Sequence, residues 1–377
     1  MLPSRSPESV RLAEVLTSCL SAVSGSDNRI GLPSVDSAIV LMVDGLGVQN
    51  LKARLGHART LSAALDSRSV ALTTFPSTTA TALTTLTTGV EPGEHGIVGY
   101  SIIDRATRQT LNQISGWGSE MPPATWQRAH TVFEQANGLG LRADVIAHPK
   151  YAGSGFTQAV LRGAEFLPAT SIQQRLELAC ERASTPGVSY VYAAELDMAA
   201  HAEGWESERW LARLEEVDAA LRAVLPRLPK RTGLIVTADH GIVDVPVHRQ
   251  IAIDLAAPNL LAPVLGSAGD PRALSLWFET GTSDAERQQQ AQLWQQALGD
   301  TAWALSREQA IDTGLYGPTI SEEVQQRIGD VLLLARKAVA FYDFRTASPQ
   351  SRAMIGQHGS LSDEEVRVPM LRYGAFG

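Results

Sequence analysis

Three short apolar runs, each closing on an aspartate, constrain the fold of this chain more than any other feature. They read "SAIVLMVDGLG" (37–47), "GVSYVYAAELD" (187–197) and "TGLIVTADHGIVD" (232–244). A run without polar alternation suits a strand covered on both faces, as in a parallel sheet. "LRADVIAH" (141–148) supplies a fourth. Helical patterns lie between and around them at 126–137, 171–184 and 206–228. Strands alternating with helices predict an α/β fold, a doubly wound and mostly parallel sheet. Ligands of such sheets collect at the carboxyl ends of the strands, which is where Asp44, Asp197 and Asp239 fall.

At 377 residues the chain exceeds what one minimal core needs. The character changes after about 250: "PRALSLWFETG" reads as a strand and "SDAERQQQAQLWQQALG" (283–299) as a polar helix. Residues 251–325 are therefore expected to form an inserted α+β subdomain, a cap, on a core made of 1–250 and 326–377. A formal net charge of −8 without a Lys/Arg cluster argues against a nucleic-acid polymer as partner. No stretch approaches the roughly 20 apolar residues of a membrane span. The first 25 residues, with Arg5, Glu8, Arg11 and Glu14, read as an amphipathic helix rather than a signal peptide. Cys19 and Cys180 are expected to be buried free thiols in a reducing compartment, which makes the cytoplasm the default location. Nothing in the sequence sets the oligomeric state.

Six residues near strand ends or late in the chain have metal-ligating side chains: Asp44, Asp197, His201, Asp239, His240 and His358. Taken singly they are ordinary. Asp-Gly after a strand is a common turn, and an i,i+4 Asp/His pair fits a helix start with a surface histidine. Asp239-His240 directly after a buried strand is harder to dismiss, because adjacent buried polar groups need partners. Together they make two sets of nitrogen and oxygen ligands, enough for two divalent cations of the zinc type. Such a pair stabilises the attacking and leaving oxygens of an in-line displacement at phosphorus. The missing nucleophile has a source in "TTFPSTTATALTTLTTG" (73–89), which holds nine threonines.

The order of these features resembles the alkaline phosphatase superfamily, and most of all its type I nucleotide pyrophosphatase/phosphodiesterase branch. The motifs are strand–Asp-Gly, Phe-Pro-Ser-Thr-Thr, "GVEPGEHGIVGY", Asp-x-x-x-His, strand–Asp-His-Gly and a late His-Gly. They cover roughly 37–110, 187–245 and 325–372. The resemblance implies a nucleophilic threonine opening a helix ten residues before a Thr-Gly glycine. Counting back from Gly89 gives Thr79; Phe-Pro as an anchor would give Thr74, and Thr78 is a further rival. It also implies that Asp44, Thr79, Asp239 and His240 hold one metal and Asp197, His201 and His358 the other, Zn²⁺ being the expected ion. The implied reaction is hydrolysis of a small phosphate ester through a covalent phospho- or nucleotidyl-threonine. The remaining threonines are expected to pack or to bond nearby backbone.

One position departs from the branch. Where its nucleotide pyrophosphatases carry an asparagine that contacts a phosphoryl oxygen, this chain has Tyr100. A phenol can donate the same bond with a different reach, so Tyr100 is expected to bind substrate. His95 is expected to be structural and Arg105 a surface residue. "HPKYAGSGF" (148–156) offers Tyr151 and Phe156 as pocket walls. A phosphomonoesterase, a phosphonoacetate-type C–P hydrolase and a non-catalytic binding relative are the competing readings. A dianionic monoester also calls for extra cationic groups, and no Arg in the sequence stands out as supplying them.

Overall fold

The computed structural model describes residues 2–3 and 8–377. Its centre is a seven-stranded sheet in the order Val70–Leu72, Arg367–Gly374, Thr232–Thr237, Ser37–Val43, Gly187–Ala193, Arg142–Ala147, Glu165–Pro168. The last five run parallel, and Arg367–Gly374 is antiparallel to its neighbours. Every residue of Ser37–Val43 and of Thr232–Thr237 is buried, which is why these strands read as unbroken apolar runs. Helices Ala13–Ser24, Glu208–Val224 and Ile172–Arg182 contribute Leu16, Leu214, Val217 and Leu176 to the same core as the sheet. Arg5 of the predicted N-terminal helix lies outside the described residues. Cys19 and Cys180 are both free and buried.

Two expectations shift. The helix predicted over 126–137 begins only at Val132. Thr131 forms a capping box with Glu134 there, satisfying the first amides and fixing the start. The second shift concerns the insertion expected over 251–325. A small antiparallel sheet, ordered Val264–Asp270, Ala273–Phe278, Val331–Ala335, Ala302–Ser306, has Val331–Ala335 as an inner strand. "VLLLA", which the sequence expectation placed in the returning core, thus belongs to the second layer of structure. The strand is apolar throughout because it is buried on both faces. Leu332 and Leu334 pack in a cluster with Trp277, Tyr316 and Phe75, while Val331 and Leu333 pack beneath Trp294 of the helix Asp284–Leu298. Periodicity alone cannot tell such a strand from one in a parallel sheet.

Candidate metal centre and cavity

Strand register brings the first aspartates together. Met42 pairs with Thr237 across Ser37–Val43 and Thr232–Thr237, so two residues further on Asp44 and Asp239 leave neighbouring strands at the same level. The glycines that follow are required by the closeness of the loops. A Cβ on Gly241 would come 2.0 Å from the Glu364 carbonyl oxygen and 2.7 Å from the Gly47 Cα. Asp239 Oδ1 accepts from the amides of Gly45 and His240, at 3.1 and 3.0 Å. Its Oδ2 lies 3.4 Å from His240 Nε2, and Asp44 Oδ1 lies 3.5 Å from the same nitrogen. Asp44, Asp239 and His240 form one buried group of ligand atoms.

The second group comes from a helix and a distant loop. Asp197 does not end the strand; it sits in the first turn of the helix Glu195–Glu203, with His201 one turn later. Asp197 Oδ2 lies 3.3 Å from His201 Nε2. His201 Nδ1 bonds the Gly356 carbonyl at 2.7 Å and His358 Nδ1 bonds the Ser77 carbonyl at 2.9 Å. Both bonds fix a tautomer that leaves Nε2 free as a ligand. Asp197, His201 and His358 bring ligand atoms within 4.8 Å of one another. The groups adjoin, since the rings of His240 and His358 stack at 3.6 Å between centroids.

The electrostatics fit a cation-holding site. Asp44 Oδ1, Asp197 Oδ1 and Asp239 Oδ2 are buried acceptors without a hydrogen-bond partner, an arrangement that costs stability unless positive charge arrives. Burial, then the charges of Asp239 and Asp197, pushes the Asp44 carboxyl well above the carboxylate range. Burial lifts Asp197 to about 6, against the pull of His201. Burial also holds His240 down to about 3 and His358 well below the usual imidazole value, so both rings are neutral and able to ligate. Three carboxylates that repel one another, the neutral rings of His240 and His358, and His201 beside them match two divalent cations bound by nitrogen and oxygen.

Thr79 is the first residue of the helix Thr79–Thr88, and its Oγ1 lies 3.3 Å from His240 Nε2. The rival hydroxyls are turned elsewhere: Thr74 Oγ1 toward Glu91 at 3.4 Å, Thr78 Oγ1 to Asp270 at 2.9 Å, and Ser77 Oγ to the Ser360 carbonyl at 2.8 Å. Thr84, Thr87 and Thr88 donate back to the carbonyls of residues 80, 83 and 84. Three of the nine threonines are thus spent on their own helix backbone.

Thr79, Asp44, Asp197, His201 and His358 open onto a cavity of about 620 Å³. Tyr100, Tyr151 and Phe156 line it, as do Tyr190, Tyr192 and Asp270. The last three escape sequence reasoning. Tyr192 donates its hydroxyl to Asp44 Oδ2 and packs edge-on against Tyr151. The i,i+2 spacing of Tyr190 and Tyr192 was the available signal, since it puts both on one face of their strand. No Lys or Arg occurs among the described residues lining the cavity. Arg105 corrects its expectation as a surface residue: it bonds Asp330 at 2.9 Å and the Phe278 carbonyl at 3.2 Å. His95 is wholly buried, taking the Ile97 amide on Nδ1 and meeting Thr85 Oγ1 through Nε2.

Comparison with known proteins agrees with this geometry. A curated relative, an uncharacterized pyrophosphatase/phosphodiesterase of Schizosaccharomyces pombe, is 26% identical over 193 residues. That match covers 48% of this chain and 39% of the relative's length, so the chain spans about two fifths of the curated relative it matches. Murine ectonucleotide pyrophosphatase/phosphodiesterase 5 shares the fold at a TM-score of 0.66 and 17% identity, over 89% of this chain and 88% of that one. Phosphonoacetate hydrolase of Sinorhizobium meliloti, in complex with phosphonoformate, does so at 0.66 and 18%, over 90% and 91%. The family model for type I phosphodiesterase / nucleotide pyrophosphatase matches residues 38–361, and the chain belongs to that family.

Proposed function

We propose that this protein is a two-metal hydrolase of small phosphodiesters with Thr79 as nucleophile. The observation that carries the reading is the charge of the cavity. It joins two cation-holding groups to walls without a single Lys or Arg among the described residues. A diester brings one negative charge, which the centre can neutralise. A monoester dianion or a carboxylated phosphonate brings more and would want a basic side chain as well.

Asp44, Thr79, Asp239 and His240 would hold one cation and Asp197, His201 and His358 the other, zinc being favoured by the mixed nitrogen and oxygen donors. Bound there, the cations would lower the pKa of the Thr79 hydroxyl, so that its proton passes to solvent, and offset charge on the phosphoryl oxygens. Thr79 Oγ1 forms the new bond to phosphorus while the ester oxygen opposite leaves with its electron pair and takes a proton from water. Water then attacks phosphorus of the resulting threonyl phosphodiester, which keeps the other ester group, from the vacated side, and Thr79 leaves in turn to regain its proton. The products are an alcohol and a phosphomonoester. The first-turn amides of Thr79–Thr88 would donate to the phosphoryl oxygens, and Tyr100, which lines the cavity, would donate a further bond. Tyr151 and Phe156 would hold the ester group.

Residues 251–325, with the strand Val331–Ala335 that completes their sheet, are proposed to act as the cap. The two buried free thiols favour a reducing compartment, hence the cytoplasm. No helix among the described residues is long and apolar enough to cross a membrane.

The test compares bis-p-nitrophenyl phosphate with p-nitrophenyl phosphate on zinc-loaded protein. Diester preference that falls about 10³-fold in Thr79→Ala and survives in Thr74→Ala is expected. Monoester preference, or activity that persists in Thr79→Ala, would sink the reading.

A further inference from the structure

The cavity carries one acid that neither cation group uses. Asp270 ends the strand Val264–Asp270 of the small sheet and is 4% exposed. It lines the cavity together with Thr78, Thr79, Tyr100 and His358. Its Oδ1 accepts the Thr78 hydroxyl at 2.9 Å, and its Oδ2 has no hydrogen-bond partner. Thr78 is the N-cap of the helix Thr79–Thr88, yet its side chain makes no bond to that helix. An N-cap threonine normally accepts an amide of its own helix; here the hydroxyl is turned away to hold a carboxylate. The result is an acid fixed one residue from the nucleophile, in a cavity without a basic wall. Its position is tightly kept, because a Cβ on Gly359 would come 2.7 Å from the Asp270 Cβ.

We propose that Asp270 is a specificity-determining residue that makes the site select singly charged diesters over doubly charged monoesters. This deepens the phosphodiesterase reading and rests on it. Burial lifts the Asp270 acid to about 7, against the hydrogen bond from Thr78. Above that pH it is a carboxylate that can only accept hydrogen bonds, as does a terminal phosphate oxygen. The third free oxygen of a monoester would bring its charge into a site where Asp270 offers repulsion and no donor. In a diester that oxygen carries an organic group, and the conflict is absent. Like charges a few ångströms apart in a partly desolvated site discriminate by roughly one order of magnitude or more.

The experiment, at about pH 8.5 so that Asp270 is ionised, measures kcat/KM of zinc-loaded wild type, Asp270→Asn and Asp270→Ser for bis-p-nitrophenyl phosphate and p-nitrophenyl phosphate. It also measures inhibition by inorganic phosphate and by dimethyl phosphate. Asparagine replaces the acid with a neutral donor; serine keeps an acceptor for Thr78 without the charge. The expected result is a diester-to-monoester ratio lowered about tenfold or more in both variants, mostly through faster monoester cleavage. Inorganic phosphate should inhibit about tenfold more tightly, with dimethyl phosphate little changed. An unchanged ratio in folded, active variants would overturn the proposal. So would failure of both variants to fold, since Asp270 would then serve only to hold Thr78. A wild type that cleaves neither ester contradicts the phosphodiesterase reading instead, and is seen before any variant is made.

Discussion

His240 and His95 are both fully buried, and burial holds both imidazoles down to about 3. They stand in opposite kinds of surroundings. His95, in the turn after the helix Thr79–Thr88, has both ring nitrogens engaged, with the Ile97 amide and with Thr85. His240, at the end of Thr232–Thr237, points Nε2 at Asp44, Asp239 and Thr79, and two of those carboxylates keep an oxygen with no partner. Burial and a shifted pKa therefore do not mark a ligand. What marks it is a nitrogen aimed at acceptors that the protein leaves unsatisfied.

The largest effect expected from this contrast is on catalysis. His240→Ala should lower kcat/KM for a diester by about 10³-fold or more, while His95→Ala should leave it within about tenfold and lower the melting temperature. Equal losses of activity would erase the distinction. Next comes Asp330→Ala, which should cost roughly 3 kcal/mol or more of stability. It strips the counter-ion from Arg105, in the loop after Ser101–Ile103, and from Arg307, the first residue of the helix Arg307–Asp312. Chemical denaturation reads the loss, and a destabilisation under about 1 kcal/mol would make that cluster a surface ornament.

The acid limb includes a contribution from His95 that a substitution there removes. Its folded value of about 3 lies below the ordinary 6.5, so the unfolded chain takes up a proton first as pH falls. Stability is then lost progressively from about pH 6.5 downward, by about 2 kcal/mol at pH 5. Urea midpoints at pH 7.5 and 5.0 should diverge less in His95→Gln than in the wild type. The smallest effect belongs to Thr74→Val. The 3.4 Å contact to Glu91 is long and the carboxylate keeps Arg11 as a partner, so the change should cost about 1 kcal/mol or less and leave kcat intact. A dead Thr74→Val enzyme would move the nucleophile.

The legible parts of this molecule are those fixed by local pattern. Asp44 and Asp239 follow apolar runs, and sheet register does the rest. The i,i+4 spacing of Asp197 and His201 already puts them on one helix face. His358 is different: alone it reads as a loop histidine and gains weight only beside the other five, because a Ser77 carbonyl 281 residues away orients its ring. The wall of the cavity was legible in part: Tyr100, Tyr151 and Phe156 were expected there and line it, whereas Tyr190, Tyr192 and Asp270 escaped. Asp270 closes "VLGSAGD", whose two glycines weaken any strand signal. Val331–Ala335 was assigned to the wrong layer because a doubly buried antiparallel strand has the same apolar pattern as a parallel one.

The central claim is that two adjoining groups of ligands form one phosphoryl-transfer centre, and metal counting tests it most directly. Elemental analysis of zinc-dialysed protein should give two ions per chain in the wild type. Asp44→Ala and Asp197→Ala should each retain one, and the double variant none. A wild type holding one zinc or fewer, or a single variant that still holds two, would contradict the account.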